Sequence, residues 1–331
     1  MRVAVVHNGL SEESHPDDRD VLVQAEAVRG ALERLGHSVT RMACDLNLEA
    51  ARQQLFSLKP DLVFNLVESL AGAGRLISLF PGLLDALGLP YSGCATEAVF
   101  MTSNKLVAKS FLKAAGLPTP PWITLDGQSL AAENVDQAER WVVKSDWEHA
   151  SIGLDEGAIL VHPDAPALAA ALRRRAPLLG GGCFGEVFID GREFNLSLLD
   201  GPGGVQVLPP AEILFEGFRE DQARIVDYRA KWDEHSYAYH HTPRNFDFSS
   251  QDRTLLDHLT RLALACWKLF NLRGYARVDF RVDEHHQPWI LEINANPCLS
   301  PDAGFAAALA QAGISFDEAI ERIVASALKE E

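Results

Sequence analysis

The stretch from Gly274 to Pro297, GYARVDFRVDEHHQPWILEINANP, limits what this chain can fold into more than any other. Residues 277–282 alternate polar and apolar with period two, and residues 289–294 do the same except at Ile290. Asp283 to Pro288 between them is turn chemistry, so the pattern predicts a β-hairpin. Folded symmetrically about the turn, Val278, Phe280 and Val282 meet Ile293, Leu291 and Trp289 and form one apolar face. The other face sets Asp279 against Glu292 and Arg277 against Asn294.

Two carboxylates opposed across a strand pair repel. At roughly 5 Å the cost is about 1 kcal/mol in water and about 3 kcal/mol at an effective dielectric of about 20. A cation between them removes that cost. Asp, Glu and Asn all present oxygen ligands, which suits Mg²⁺. That ion takes one or two carboxylates and leaves its other positions to water and phosphate oxygens. On spacing alone two readings stand: a face that binds Mg²⁺ carrying a nucleotide, or a solvated face on which Arg277 pairs with a carboxylate.

The chain has 331 residues, 47% of them hydrophobic and 23% charged, enough for two or three globular domains. Its net charge of −16 argues against a nucleic-acid partner, while leaving room for a phosphate ligand held by local Lys and Arg. Cys44, Cys94, Cys183, Cys266 and Cys298 are scattered without metal-type spacing and fit reduced thiols in a cytoplasmic protein. The N-terminus enters a strand at once, with no signal-peptide pattern. The most apolar run, LISLFPGLLDALGL, is broken by Pro81, Gly82 and Asp85, so no membrane partner is expected.

Taken in order, residues 2–7, 38–44 and 61–66 read as strands, and 20–35 and 48–58 as helices. This βαβαβ order implies a parallel sheet with ligands near the strand C-terminal ends. Asn8-Gly9-Leu10 lacks the G-x-G-x-x-G of a dinucleotide site. Further on, residues 122–125, 141–144 and 207–214 read as strands, and 168–175 and 254–270 as helices. GCFGEVFIDGREFNLSLLDG reads as two strands joined by a hairpin turn at Asp190-Gly191.

RVDF followed by LEIN-x-NP resembles the C-terminal metal-binding core of the ATP-grasp superfamily, and is most similar to the D-alanine–D-alanine ligase family. The resemblance runs through essentially the whole chain. It implies an α/β protein, α+β in its C-terminal part, with three domains: an N-terminal parallel-sheet lobe over residues 1–95, a central lobe over 96–182 and a C-terminal lobe over 183–331. In that family the residues matching Asp279, Glu292 and Asn294 hold two Mg²⁺ (Mn²⁺ can substitute) on the ATP phosphates, and the residue matching Arg277 stabilises the tetrahedral transition state. Lys105 and Lys144 match the lysines on the ATP phosphates, and Lys231 the one at the transferring phosphoryl group. Glu186, Phe188, Ile189, Glu193 and Leu291 match the adenine and ribose pocket. Ser151 and Gly153 match the lid over the phosphates. The family is often dimeric through its N-terminal lobe, so the resemblance adds a homodimer.

The activity so implied is an ATP-dependent, ADP-forming ligase that joins a small carboxylate to an amine, amino acids in the family, through an acyl phosphate. Departures gather on the substrate side. Glu68-Ser69 stands where the family has His-Gly, Ala150 where it has a lid Ser, and Trp232 where it has an aromatic hydroxyl. Cys298-Leu299-Ser300 replaces a Gly-Met-Thr turn, and Glu13 matches the Glu on the first substrate's amino group. Three functions are thereby in play: a family member with a shifted substrate, D-alanine–D-alanine ligase proper, and a nucleotide-binding module without turnover.

Overall fold

Strand patterning sorts the chain into three sheets in a computed structural model. It describes residues 1–10, 16–125, 138–147, 153–219, 222–233 and 235–329, without the side chains of residues 16–18 and 156. Glu13, Ala150 and Ser151 lie outside the described residues.

The first sheet is parallel, with β1 (Arg2–Asn8) between β2 (Ser38–Cys44) and β3 (Leu62–Leu66). Helices α1 (Pro16–Arg34), α2 (Leu48–Leu58) and α3 (Leu79–Leu87) accompany it. Val3 and Val5 pack with α1, and Ala4 and Val6 with α2 and α3, so both sheet faces are covered and β3 is buried throughout. Asn47 accepts a hydrogen bond from the Ala50 N–H at 3.1 Å and starts α2. The C-terminal ends of β1 and β3 deliver Asn8 and, two residues past the strand, Glu68.

Helices α4 (Thr96–Ser103) and α5 (Lys105–Ala114) lead to the second sheet. It is antiparallel and contains β4 (Trp122–Thr124), β5 (Arg140–Ser145), β6 (Ile159–Val161), and, after helix α6 (Ala165–Arg175), β7 (Cys183–Val187). Its order is β4-β7-β5-β6. The third sheet is also antiparallel. Its strands are β8 (Arg192–Leu199), β9 (Gln206–Val207), β10 (Ala211–Ile213), β11 (Arg244–Asn245), β12 (Tyr275–Val282) and β13 (Pro288–Asn294). The order is β11-β10-β8-β12-β13, with β9 beside β8. Short helices α7 (Tyr228–Trp232) and α8 (Tyr237–His240) follow β10, α9 (Arg253–Leu269) covers the sheet, and α10 (Gly304–Gln311) and α11 (Phe316–Ala327) close the chain.

Three expectations change. First, Asp190-Gly191 does not close a hairpin: β7 belongs to the second sheet and β8 to the third. The Asp-Gly pair serves a sheet-to-sheet link instead, because Gly191 has φ +134 and a Cβ there would sit 2.0 Å from the Val282 carbonyl oxygen. Second, elements on the two sides of residue 182 share sheets and cores. β7 carries the second sheet to Val187, α4 and α5 pack their Val99, Ala108 and Leu112 on the third sheet, and α10 and α11 share a core with α1. Third, the β12–β13 register slips after Asp279. Arg277–Asn294 and Asp279–Glu292 pair as expected, but Phe280 then meets Ile290, Arg281 meets Trp289 and Val282 meets Pro288. Leu291 is the extra residue of this β-bulge, which explains why Ile290 breaks the alternation.

Gly191 therefore tests the link. Gly191→Ala should lower the denaturant midpoint of unfolding by an amount equivalent to about 2 kcal/mol or more, measured by urea titration followed by circular dichroism, since neither its φ nor the Val282 carbonyl leaves room for a Cβ.

Candidate functional site

A cavity of about 550 Å³ is lined by residues of the second and third sheets and by loops of the N-terminal lobe. Of the residues given a ligand or substrate role from sequence, Glu13 and Ser151 fall outside the described part and Gly153 is not part of the cavity wall; the three metal-face residues, Arg277, the three lysines, the five of the adenine and ribose pocket, Glu68, Trp232 and Ser300 all line this cavity.

The hairpin builds the cavity's charged centre. Asp279 is buried, and four hydrogen bonds surround its carboxylate. Arg277 forks onto it through Nε at 2.7 Å and Nη2 at 2.8 Å, Asn195 donates at 2.8 Å and Asn294 at 3.2 Å. The Arg277–carboxylate pair and the candidate metal face are thus one and the same. Burial pushes the Asp279 carboxyl above its ordinary range, against the pull of Arg277 and with a push from Glu292. Burial alone would weaken the Arg277 cation, but Asp279 and then Glu292 hold it firmly protonated. Lys105 Nζ stands 3.8 Å from Glu292 Oε2. The donors fit a hard divalent cation: two carboxylates and an amide on adjacent strands. Turning the Asn294 amide would replace its donating nitrogen with a ligand oxygen and release a lone pair of Asp279.

Three lysines approach from different elements. Lys105 opens α5, where Asn104 caps the helix by accepting from the Val107 N–H at 2.9 Å. A cation in the first turn opposes the helix dipole, so local helix physics does not explain it. Lys144 lies on β5 and its Nζ bonds Glu186 Oε1. Lys231 comes from α7, whose cap is Asp227, and is near enough to draw down both Asp279 and Glu193.

Glu186, on β7, is 1% exposed and takes Lys109 Nζ on its other oxygen at 2.7 Å. Burial pushes its carboxyl up, but Lys109 and Lys144 together hold it below the ordinary range. Phe188 and Ile189 follow in the link between sheets. The guanidinium carbon of Arg281 lies 5.3 Å from the centre of the Phe188 ring and 5.5 Å from that of Phe215. Arg281 also reaches Glu193 at 3.4 Å and donates to the Gly191 carbonyl at 3.0 Å. The β-bulge turns Leu291 onto this wall beside them.

At the N-terminal-lobe end, Ser300 Oγ donates to Asp20 Oδ1 at 2.7 Å and Cys298 Sγ to Asp20 Oδ2 at 3.0 Å. Gln24 Nε2 donates to Glu68 Oε1 at 2.7 Å while its Oε1 accepts from the Leu299 N–H at 3.0 Å. Trp232 lines the same cavity. Sequence reasoning passed over Asp20, Lys109, Asn195 and Arg281. Two had a signal: Arg281 continues the polar alternation of Arg277 and Asp279, and Lys109 follows Lys105 at the i, i+4 spacing of one helix face.

Residues 111–325 match the family model described as the D-ala D-ala ligase C-terminus. The D-alanine–D-alanine ligase of Synechococcus sp. (strain JA-3-3Ab) is 31% identical over 332 residues, covering 99% of this chain and 94% of that protein. That of Moorella thermoacetica is 30% identical, covering 99% and 100%. The Bacillus anthracis D-alanine–D-alanine ligase solved with ATP superposes with a TM-score of 0.74 at 21% identity, covering 99% of this chain and 97% of that one. Fold and family together make this an ATP-grasp ligase, an enzyme that forms a C–N bond. The chain belongs to the D-alanine–D-alanine ligase family.

The Arg277–Asp279 fork gives a stability test. Arg277→Met strands a buried carboxylate and should cost about 3 kcal/mol, whereas Arg277→Met with Asp279→Asn should recover most of that loss. Urea unfolding of the two variants beside the parent measures both.

Proposed function

We propose that this cavity binds ATP between the second and third sheets, and joins the carboxylate of one amino acid to the amine of another in the corner next to the N-terminal lobe. The observation that carries this reading is the convergence of Arg277, Lys105, Lys144 and Lys231 on one cavity around the Asp279–Glu292 pair. A site for binding alone has no need of a buried, permanently charged guanidinium at its centre.

A carboxylate is a poor acyl donor. Its oxygen attacks the γ-phosphorus of ATP, the bond to the β-phosphate oxygen breaks, and ADP and an acyl phosphate result. The amine then attacks the acyl carbon, inorganic phosphate leaves, and the amine's proton is lost. In this scheme Lys105 and Lys144 bind phosphate oxygens and Lys231 faces the transferring group. Mg²⁺ (or Mn²⁺), held by Asp279, Glu292 and Asn294, would supply charge neutralisation of the triphosphate when bound. Arg277 donates to the oxyanion of the tetrahedral species. Glu186 and Ile189 receive the adenine edge, Phe188 and Leu291 pack its faces, and Glu193 takes the ribose hydroxyls. Ser151 and Glu13 belong to the same reading, as lid and amine-binding residues. So do a homodimer and a cytoplasmic setting; among the described residues no helix is long and apolar enough to cross a membrane.

D-alanine is the first substrate to try, since the relatives bear its name. A specific feature favours a second reading, a substrate with an additional ammonium group. Asp20 and Glu68 bring two carboxylates to the corner by Ser300, where the family pattern has His-Gly at 68–69.

Phosphate release should be measured with Mg²⁺-ATP across single D- and L-amino acids and then pairs. Turnover of D-alanine to its dipeptide supports the first reading, and preference for a diamino acid the second. No release with any pair despite tight ATP binding would overturn the ligase assignment of this cavity. With the active pair, Arg277→Lys should lower kcat about 10²- to 10³-fold with less change in KM for ATP, and chelation should abolish release until Mg²⁺ is restored.

A further inference from the structure

Lys109 is among the most buried side chains of the protein, with 1% of its surface exposed, and it does not line the cavity. It is nonetheless fully engaged. Its Nζ donates to Glu186 Oε2 at 2.7 Å and to Thr119 Oγ1 at 2.8 Å, and stands 5.2 Å from the centre of the Trp122 ring. Thr119 in turn donates to the Ile290 carbonyl at 3.0 Å, one residue before the bulge. Glu186 Oε1 meanwhile holds Lys144. One carboxylate thus carries two lysines, one sealed in the core and one, 15% exposed, facing the cavity.

This arrangement competes with nucleotide binding. Glu186 Oε1 is already engaged by Lys144, and a Lys144 drawn onto Glu186 gives less of its charge to a phosphate. Both effects ease together if Lys144 shifts from Glu186 toward the phosphates. The move leaves a carboxylate at 1% exposure, which is prohibitive for a bare charge but not for a paired one. We propose that Lys109 is the positioning residue that makes this exchange available: it remains on Glu186 as permanent counter-charge, so that Lys144 can leave for the phosphates and the adenine amino group can take its place. Without Lys109, Lys144 is the one cation left on Glu186 among the described residues and is held there. The nucleotide-competent arrangement then becomes a minor state and apparent affinity falls by its population.

The inference rests on the nucleotide reading of this cavity, and its test separates the two. Isothermal titration with Mg²⁺-ATP on the full chain gives Kd and stoichiometry. The parent should bind one ATP; if it binds none, the nucleotide reading itself fails. Given binding by the parent, Lys109→Met should raise Kd about tenfold or more with stoichiometry unchanged, because the folded sites are intact but biased. A merely structural role would instead lower the stoichiometry in proportion to the misfolded fraction. Lys109→Arg, which keeps the charge, should stay within about threefold of the parent. An unchanged Kd in Lys109→Met, or a loss equally large in Lys109→Arg, would overturn the proposal.

Discussion

Asp279 and Glu292 face each other across β12 and β13, and the surrounding structure is organised to hold that repulsion. Arg277 forks onto Asp279 from two residues away on the same strand face, Asn195 approaches from β8, and Lys105 faces Glu292 from the first turn of α5. Each partner is drawn from a different element, two cations and one amide, so the acidic pair acts as a focus on which β12, β8 and α5 converge. The apolar side of the same hairpin makes that convergence rigid. Val278, Phe280, Val282, Ile290 and Ile293 are essentially inaccessible and form one core with α4, α5 and α9. A strand pair with one face sunk in a core and the other charged cannot slip by a residue without exchanging the two faces.

The N-terminal lobe is tied to this hairpin by a short polar chain. Tyr275, at the start of β12, donates to Asn296 at 2.7 Å, and Asn296 donates to the Val67 carbonyl at 3.2 Å, immediately before Glu68. Asp20 and Gln24 of α1 bond the 298–300 segment just beyond β13, and Arg34 pairs with Asp317 of α11 at the surface. The buried members of this chain carry more weight than the exposed ion pair, since solvent screens the latter. The corner around Asp20 and Glu68 is therefore built from the N-terminal elements and the segment just past β13, which meet through the Cys298 and Ser300 side chains and the Leu299 N–H.

Much of this was legible from period-two alternation. It gave the hairpin, both polar cross-strand pairs and, in the exception at Ile290, the trace of the bulge. The bulge's consequence was not legible, because alternation assigns Leu291 to the core face whereas the extra residue rotates it to the cavity wall. Asp190-Gly191 misled for a related reason. The pair encodes a local turn, but whether two flanking strands pair with each other is decided by distant partners, here β5 and β4 for β7 and β12 for β8. Sequence order does not reveal core membership either: the helices 96–103 and 105–114 precede the second sheet in sequence yet pack into the core of the third. Lys109 had only a spacing, and nothing in a sequence distinguishes a sealed lysine from a solvated one.

The two ends of the cavity obey different physics, which bears on how such a ligase diverges. At the end with Glu186 and Arg281, charges sit at 1–3% exposure and each is compensated by a fixed partner, so a change at one strands another. Substitution there is costly. At the end with Asp20, Glu68, Cys298 and Ser300, the contacts are largely neutral hydroxyl, thiol and amide donors to carboxylates, and the side chains are shared among α1, the loop after β3 and the loop after β13. Removing one such donor leaves an acceptor that water can still reach at this partly exposed corner. A chain under selection for a new acid or amine partner meets the least resistance here, and departures from the family pattern fall here: Glu68, Cys298 and Ser300 lie at this end and Trp232 lines the same cavity, while Asp279, Glu292, Arg277 and the lysines keep the pattern.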